Sequence, residues 1–494
     1  MKENYLVSEG KRTSKRGIRP VRYRTVLDLL TAEEAEAIHQ ASLDILENVG
    51  VKMPLPDALD VLGQCGADVD GRTWRVCFPP EMVMSALASA PRSYTLCAPN
   101  PDHDLLLDGN HGYLSLDGSG LQIVDPQSGE LRRSTFKDLE NAVRVADYLE
   151  AISFLWPVIS AQDCPQEKQP LYELLAMLKN STKHAQAMTA VNPGAARSSV
   201  EIAAAVAGGK KALRRRPLIS NFQCSISPLA YDPEGLAAAM IFADAGIPTG
   251  FLTMQVGCST APATLAGSLA QANAEILAGI TFLQSYCPGC PTFYGSCATV
   301  MELRSGAVAS GGPEDFLLQA LSAQMARYYH LPASVGTFAT GAKASNWHAG
   351  VENAVSGAVS MFAGADMMCG AGLLAGAVIF SYVQLLLDCE IYEIVRRTAE
   401  GIAVDQETLA LETIKRVGPD DHFMVEPHTL VHMRELWQPM VINRNPYGRY
   451  QAEGFLEAED KAREEACRIL VEHHPEPLDK KLQDEIIAII ELSA

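Results

Sequence analysis

The chain has 494 residues, of which 48% are hydrophobic and 20% charged, with a formal net charge of -19. This composition supports a large core and excludes global disorder. A surface this acidic repels phosphate backbones, so nucleic acid is excluded as a partner class. The N-terminus is polar and basic from Lys2 to Arg24 with no apolar run behind it, so no signal peptide is expected. The twelve scattered cysteines then read as reduced, mostly buried thiols of a cytoplasmic protein. Only Cys287 and Cys290 have CxxC spacing, and no second pair exists to complete a zinc ribbon. Met367 to Leu387 carries no charge and is long enough to span a bilayer. Its glycines and alanines and the lack of basic anchors fit a buried strand, loop and helix better, so no membrane partner is expected.

In chain order, the first ~20 residues read as a flexible or wrapping arm. Thr31 to Val49 is a helix, capped by Thr31 with Glu34 at the capping-box position and ended by Gly50. Short strands and turns follow to about Gln127, including Tyr94–Leu96, His111–Leu116 and the turn at Asp125-Pro126. They read as a layer outside the main domain. From about Ser134 helices alternate with apolar runs at Ile152–Ile159, His184–Val191, Pro217–Cys224, Pro248–Met254, Pro291–Ser296, Pro332–Val335 and Asp366–Gly370. An eighth run lies near Ala377–Phe380 or earlier in the chain. Such alternation means a parallel sheet, and seven or eight units argue for closure into a barrel. The expected fold is α/β. Residues 1–130 form an N-terminal mixed α/β layer, residues 131–390 a TIM (β/α)8 barrel, and residues 391–494 a C-terminal helical extension. No GxGxxG follows the first strand and no P-loop occurs, so the dinucleotide and nucleotide readings lack their phosphate cradle.

A TIM barrel carries its site at the C-terminal ends of its strands. Those ends include Trp156, Asn192, Asn221, Phe222, Gln223, Gln255, Tyr294, Phe338 and Cys369. The set is aromatic and amide-rich, poor in carboxylates, and without a Ser-His-Asp arrangement. Acid–base hydrolysis is therefore disfavoured. Aromatic faces suit a quaternary ammonium, which binds by cation–π contact and donates no hydrogen bond. The densest segment is Gly336–Gly350, where Lys343, Asn346, Trp347 and His348 gather in one post-strand loop. The plainer alternative is a helix-capping turn with a solvated lysine. His428 and His432, four apart, share a face if helical, with His422 or Glu426 as a third zinc ligand. Pro427 precedes the pair and no HExxH is present, so structural or partner-contacting histidines are favoured and no metal is expected.

Several segments together resemble the trimethylamine methyltransferase family: Gly257–Leu269, Tyr294–Ser296 with Glu302–Gly306, Gly312–Glu314, Ala323–Tyr329, the Lys343 loop and His428–Arg434. The resemblance implies a TIM barrel, a methylated amine as donor and the Co(I) of a separate corrinoid protein as acceptor. It implies no tightly bound cofactor on this chain. The trimethylamine enzymes carry pyrrolysine in the loop that corresponds to Gly336–Thr340; here that loop holds ordinary residues, including Phe338. The chain therefore looks like the non-pyrrolysine branch, which demethylates quaternary amines such as glycine betaine, proline betaine, carnitine and γ-butyrobetaine. Glycine betaine, the smallest, is the favoured donor.

The expected roles follow. Phe222, Tyr294, Phe338 and Trp347 wall an ammonium cage, and Asn221, Gln255, Asn346 and His348 orient the donor. Arg304 or Lys343 pairs with its carboxylate. The corrinoid protein covers the mouth and touches His428 and His432. A homo-oligomer is expected. Two rivals stand beside this reading: a non-catalytic barrel that binds betaine or the corrinoid protein, and a metalloenzyme built on the histidine cluster.

Overall fold

The computed structural model describes residues 17–493 except 119, 339 and 477. The expected N-terminal arm lies largely outside the described residues. Eight parallel strands close into a barrel: β1 (His111–Leu116), β2 (Ile152–Leu155), β3 (His184–Gln186), β4 (Ile219–Ile226), β5 (Thr249–Thr253), β6 (Tyr294–Ser296), β7 (Ala333–Gly336) and β8 (Met367–Ala371). Each pairs with the next, β3 with β4 among them, and β8 returns to β1 to close the ring. Eight helices follow in turn: α1 (Phe136–Tyr148), α2 (Gln169–Asn180), α3 (Pro193–Ala207), α4 (Pro233–Asp244), α5 (Leu265–Tyr286), α6 (Pro313–Tyr328), α7 (Trp347–Phe362) and α8 (Tyr382–Ala399). The expected (β/α)8 barrel is what the chain forms.

The missing eighth strand is the first one. His111–Leu116, read from sequence as part of the outer layer, is β1, and its residues 112–116 are all buried. The period-2 pattern of an outer hairpin and the buried run of a barrel strand are alike over six residues. The segment after β1 also forms a hairpin (Gln122–Val124 with Leu131–Arg133) before α1 begins, which hides the β-to-α alternation. The other candidate near Ala377 is Ile379–Ser381, which pairs with Gln122–Val124 in a small sheet outside the barrel.

Local signals act as the sequence implies. Thr31 and Glu34 form a reciprocal capping box on the helix Ala32–Asp44, and Thr135 and Asp138 form one on α1. Helix α5 is buried from Ser268 to Gln284, which explains why its apolar pattern runs all round. The apolar stretch from Met367 is β8, two short strands (Leu373–Leu374 and Ile379–Ser381) joined by a turn, and the start of α8; among the described residues no helix is long and apolar enough to cross a membrane. The helix Ala458–Glu472 packs on α8 and α1, and Lys480–Leu492 on α3 and α2.

One glycine is fixed by a close approach. Gly370 has φ +135°, and a Cβ there would lie 1.5 Å from the carbonyl oxygen of Thr337. Backbone cannot yield as a side-chain tip can. Gly370→Ala is expected to destabilise the fold by about 3–5 kcal/mol, read as a loss of urea midpoint with the m-value unchanged.

Candidate active site

The lumen is identified by contacts between strands that are not neighbours. Trp156 at the end of β2 meets Phe222 of β4 with ring centroids 5.1 Å apart, and Phe222 meets Phe293, beside β6, at 6.5 Å. Side chains of alternate strands touch only across a barrel interior. Alternation then assigns the rest: Asp117, Met188, Cys224, Met254, Cys297 and Gly336 continue the inward faces of β1 and β3 through β7. A Cβ on Gly118 would lie 2.5 Å from the Met188 thioether and 3.2 Å from the Trp156 ring, so these groups crowd one space. The sulfurs of Cys224 and Met254 stand 4.0 Å apart. Below this layer the inward side chains are fully buried, whereas Asp117, Met188, Cys224 and Cys297 are half-buried. The lumen is therefore packed at its base and open at the strands' C-terminal ends.

Asp117 sets the electrostatics. Among the described residues it accepts one hydrogen bond, from its neighbour Gly118 N–H at 2.8 Å, and no cation acts on it. Burial lifts its carboxyl from an ordinary 3.8 to about 6. Burial and then the Asp117 charge raise the Cys297 thiol well above its usual range. Burial alone pushes Cys224 up to about 12, and Cys369, between Ser115 and Ser334, is also pushed up to about 12 by burial. These thiols stay protonated at neutral pH and do not compete as nucleophiles. Asp315 on α6, raised by burial to about 6 with Glu352 nearby, extends the negative field. Two polar groups in the lumen wall lack partners among the described residues: the Trp156 indole N–H and the whole Gln186 amide. Gln186 shares a strand face with His184, whose Nε2 meets Ser220 Oγ at 2.8 Å, so it points inward.

The structure places the expected residues as follows. Phe222 lies in the lumen beneath the mouth. Asn221 faces outward, donating to the Ala187 carbonyl at 2.5 Å and accepting from Gln223 at 2.6 Å. Gln255 is buried, its Nε2 on the Ser268 carbonyl and its Oε1 without a partner among the described residues. Tyr294 points into the helical layer, donating to Asn273 at 3.1 Å and stacking on Tyr329. Phe338, at φ +52°, turns away too, its ring tip standing where a Cβ on Gly357 of α7 would be. The Lys343 loop is a capped rim. Asn346 accepts from the backbone of His348 and Ala349, His348 pairs with Glu352 at 2.7 Å, and Lys343 donates to Gly341 O. Trp347 is 81% exposed. Arg304 lies on an exposed hairpin between Thr299–Met301 and Val308–Ala309. The four loop residues thus come together on the rim, with their polar groups committed locally, while Tyr294 and Phe338 do not join them. His432 meets Glu435, which with Thr408 lines a cleft of about 1110 Å³ whose wall also includes Arg19 and Leu149–Ala151, the last just ahead of β2. That is the opposite end of the barrel from the mouth.

Asp117 is the residue that sequence reasoning missed. A reading that puts His111–Leu116 in an outer layer leaves the residue at its C-terminal end outside the barrel mouth. The signal was present in Asp117-Gly118-Ser119-Gly120, a carboxylate and three small residues directly after an apolar run.

Fold and mouth together define a (β/α)8 barrel whose mouth holds a half-buried carboxylate with no cation partner among the described residues, over an aromatic and thiol-lined lumen. The trimethylamine methyltransferase family model matches residues 6–492, and the chain belongs to that family of methyltransferases. The chain is 34% identical over 461 residues to the trimethylamine methyltransferase of Desulfitobacterium hafniense strain DSM 10664 / DCB-2, covering 93% of this chain and 92% of that one. It is 32% identical over 466 residues to the glycine betaine methyltransferase of D. hafniense strain Y51, covering 94% and 96%. The crystal structure of Methanosarcina barkeri monomethylamine methyltransferase superimposes with a TM-score of 0.50 at 11% identity, covering 89% of this chain and 92% of that one. That likeness bears on the fold alone.

Proposed function

We propose that this chain transfers a methyl group from a quaternary ammonium compound to the Co(I) of a corrinoid carried by a separate protein, in the cytoplasm. The observation that carries the reading is Asp117: a desolvated carboxylate at the barrel mouth with no cation partner among the described residues. Such a group is complementary to a permanent cation. Trp156 adds an aromatic surface beside it. Gln186 and the Trp156 N–H are unspent donors for a polar tail on the donor, such as a betaine carboxylate. Glycine betaine is therefore the first compound to test.

In the reaction, Co(I) attacks the methyl carbon in line. The Co–C bond forms as the C–N bond breaks, the bonding pair goes to nitrogen, and a neutral tertiary amine leaves. No proton moves, which matches a mouth with no acid–base pair among the described residues. The protein's task is to aim the N–CH3 bond outward and to exclude water. The rim supports a covering partner. Val191, Ile226, Met254, Leu303 and Trp347, which lie at or beyond the C-terminal ends of β3 to β7, are 51%, 54%, 58%, 75% and 81% exposed. An apolar ring around a site marks an interaction surface. Exposed apolar residues between Ile402 and Phe455, including Met424, Val425 and Val431, support a homo-oligomer.

Binding is expected to depend on pH through Asp117. Its folded pKa lies above its ordinary value, so the folded chain keeps this proton longer than the unfolded one. Ionising the group costs stability, and that cost accrues between about pH 4 and pH 6 and is constant above. A cation needs the ionised form. Affinity is expected to rise with pH to about 6 and then level off, roughly tenfold weaker at pH 5 than at pH 7. A thermal-shift titration with glycine betaine, carnitine, choline and trimethylamine at both pH values tests this. Stabilisation by a quaternary amine that fades at pH 5 supports the proposal. Stabilisation by none of them, or equal effects at both pH values, overturns it.

A further inference from the structure

We propose that Glu407, His428 and His432 form a binding site for one divalent transition-metal ion of the zinc class, remote from the barrel mouth. One ring nitrogen from each histidine and one Glu407 carboxylate oxygen all lie within 4.8 Å of one another. The histidines sit one turn apart on the helix Pro427–His432, with ring centroids 4.3 Å apart and planes at 38°. Both Nε2 atoms converge on a single residue: that of His428 lies 3.1 Å from the Glu407 carbonyl oxygen, and that of His432 3.4 Å from its carboxylate.

A second, independent feature is the outer partner. The other ring nitrogen of His432, Nδ1, is 3.0 Å from the Glu435 carboxylate. A carboxylate behind a ligating imidazole fixes its tautomer and orientation, and this is the usual company of a metal-bound histidine. Two imidazoles and one carboxylate suit zinc and its neighbours rather than calcium or magnesium, which favour all-oxygen sets. Water would complete a tetrahedral site, since both histidines are half-buried and Glu407 is exposed. Spacing alone offered His422 or Glu426 as the third ligand. The fold instead gives the Glu426 carboxylate to Arg416, with Nε at 3.0 Å, and brings in Glu407 from 21 residues upstream of His428. The ion would clip the turn that carries Glu407 to the helix that carries the histidines, across the intervening helix Leu411–Val417.

The test uses the full-length chain, stripped with a chelator and titrated with Zn2+ by calorimetry, and separately with Co2+ in the visible range. One equivalent is expected to bind. The double substitution His428→Ala/His432→Ala is expected to weaken it by at least about 100-fold, and Glu435→Gln, which touches only the outer partner, by about 10-fold. Glu407→Gln is a near-isosteric third variant that keeps the test valid should the double substitution unfold the segment. The Co2+ spectrum is expected to show visible ligand-field bands without a near-ultraviolet thiolate band, which separates this site from exposed thiols such as Cys65 and Cys258. No saturable one-to-one binding, binding that the variants leave unchanged, or a thiolate band overturns the proposal.

Discussion

Replacing Asp117 by asparagine is expected to raise KM for a quaternary ammonium donor by about 100-fold while leaving kcat unchanged or slightly higher. The split follows from where the charge goes. The donor nitrogen is fully positive in the bound state and loses that charge as the C–N bond breaks. A fixed carboxylate therefore stabilises the bound donor at least as well as the transition state, so it contributes to binding and not to the chemical step. Losing one partner of a desolvated ion pair costs about 3 kcal/mol, which at 1.4 kcal/mol per tenfold gives the stated factor. The substitution is nearly isosteric and, among the described residues, the carboxyl accepts only the Gly118 N–H, so the fold is expected to persist. The pH dependence of donor binding between 5 and 7 should vanish in the same variant. A fall in kcat at constant KM would mean that Asp117 acts on the chemical step, contrary to the counter-ion role.

Glu275→Ala is expected to destabilise the fold strongly and to weaken donor binding with it. Glu275 sits on α5, fully buried, and its carboxyl group accepts from five donors. These are Ser225 Oγ at 2.5 Å, Ser227 Oγ at 2.7 Å, Leu229 N and Thr253 Oγ1 at 2.9 Å, and Gln271 Nε2 at 3.0 Å. The first four belong to β4, the loop after it, and β5. One side chain therefore fixes the loop behind Cys224 and the strand end that presents Met254. Leaving several buried donors without an acceptor costs about 1–3 kcal/mol each, and partial rearrangement leaves about 4 kcal/mol in all. The urea midpoint should fall accordingly, and donor affinity should fall with it because two walls of the mouth lose their support. Glu275→Gln keeps an acceptor oxygen and is expected to recover about half of the loss. Equal stability of the alanine variant and the parent would show that these bonds do not organise the loops.

The barrel was legible because each of its repeating units announces itself twice. Proline or a capping residue opens a helix, as at Pro233 and Pro313, and a short apolar run then follows. The first unit breaks that rhythm, since a hairpin separates β1 from α1. The site was less legible, for two physical reasons. The inward or outward sense of a strand-end side chain depends on register, and one step of period 2 moves a residue from lumen to helical layer. Asn221 and Phe222 are adjacent, yet only Phe222 enters the lumen. Backbone sign matters equally: Phe338 follows the inward positions Ser334 and Gly336 in step, but its positive φ turns the ring onto α7. Lys343, Asn346, Trp347 and His348 do lie together in the loop that runs from β7 into the first turn of α7. Capping and the Glu352 pair account for its polar groups, and its exposed indole is what it offers a partner.

The central claim is methyl transfer from a quaternary ammonium to a corrinoid, and it is tested most directly by incubating the purified chain with a Co(I) corrinoid protein and each candidate amine. The absorbance change from Co(I) to methyl-Co(III) is then followed with time. Conversion is expected with glycine betaine or another quaternary amine, with stoichiometric release of the tertiary amine and a rate at sub-saturating donor reduced about 100-fold by Asp117→Asn. Conversion with trimethylamine but with no quaternary amine, or full activity of the Asp117→Asn variant at low donor concentration, would contradict it.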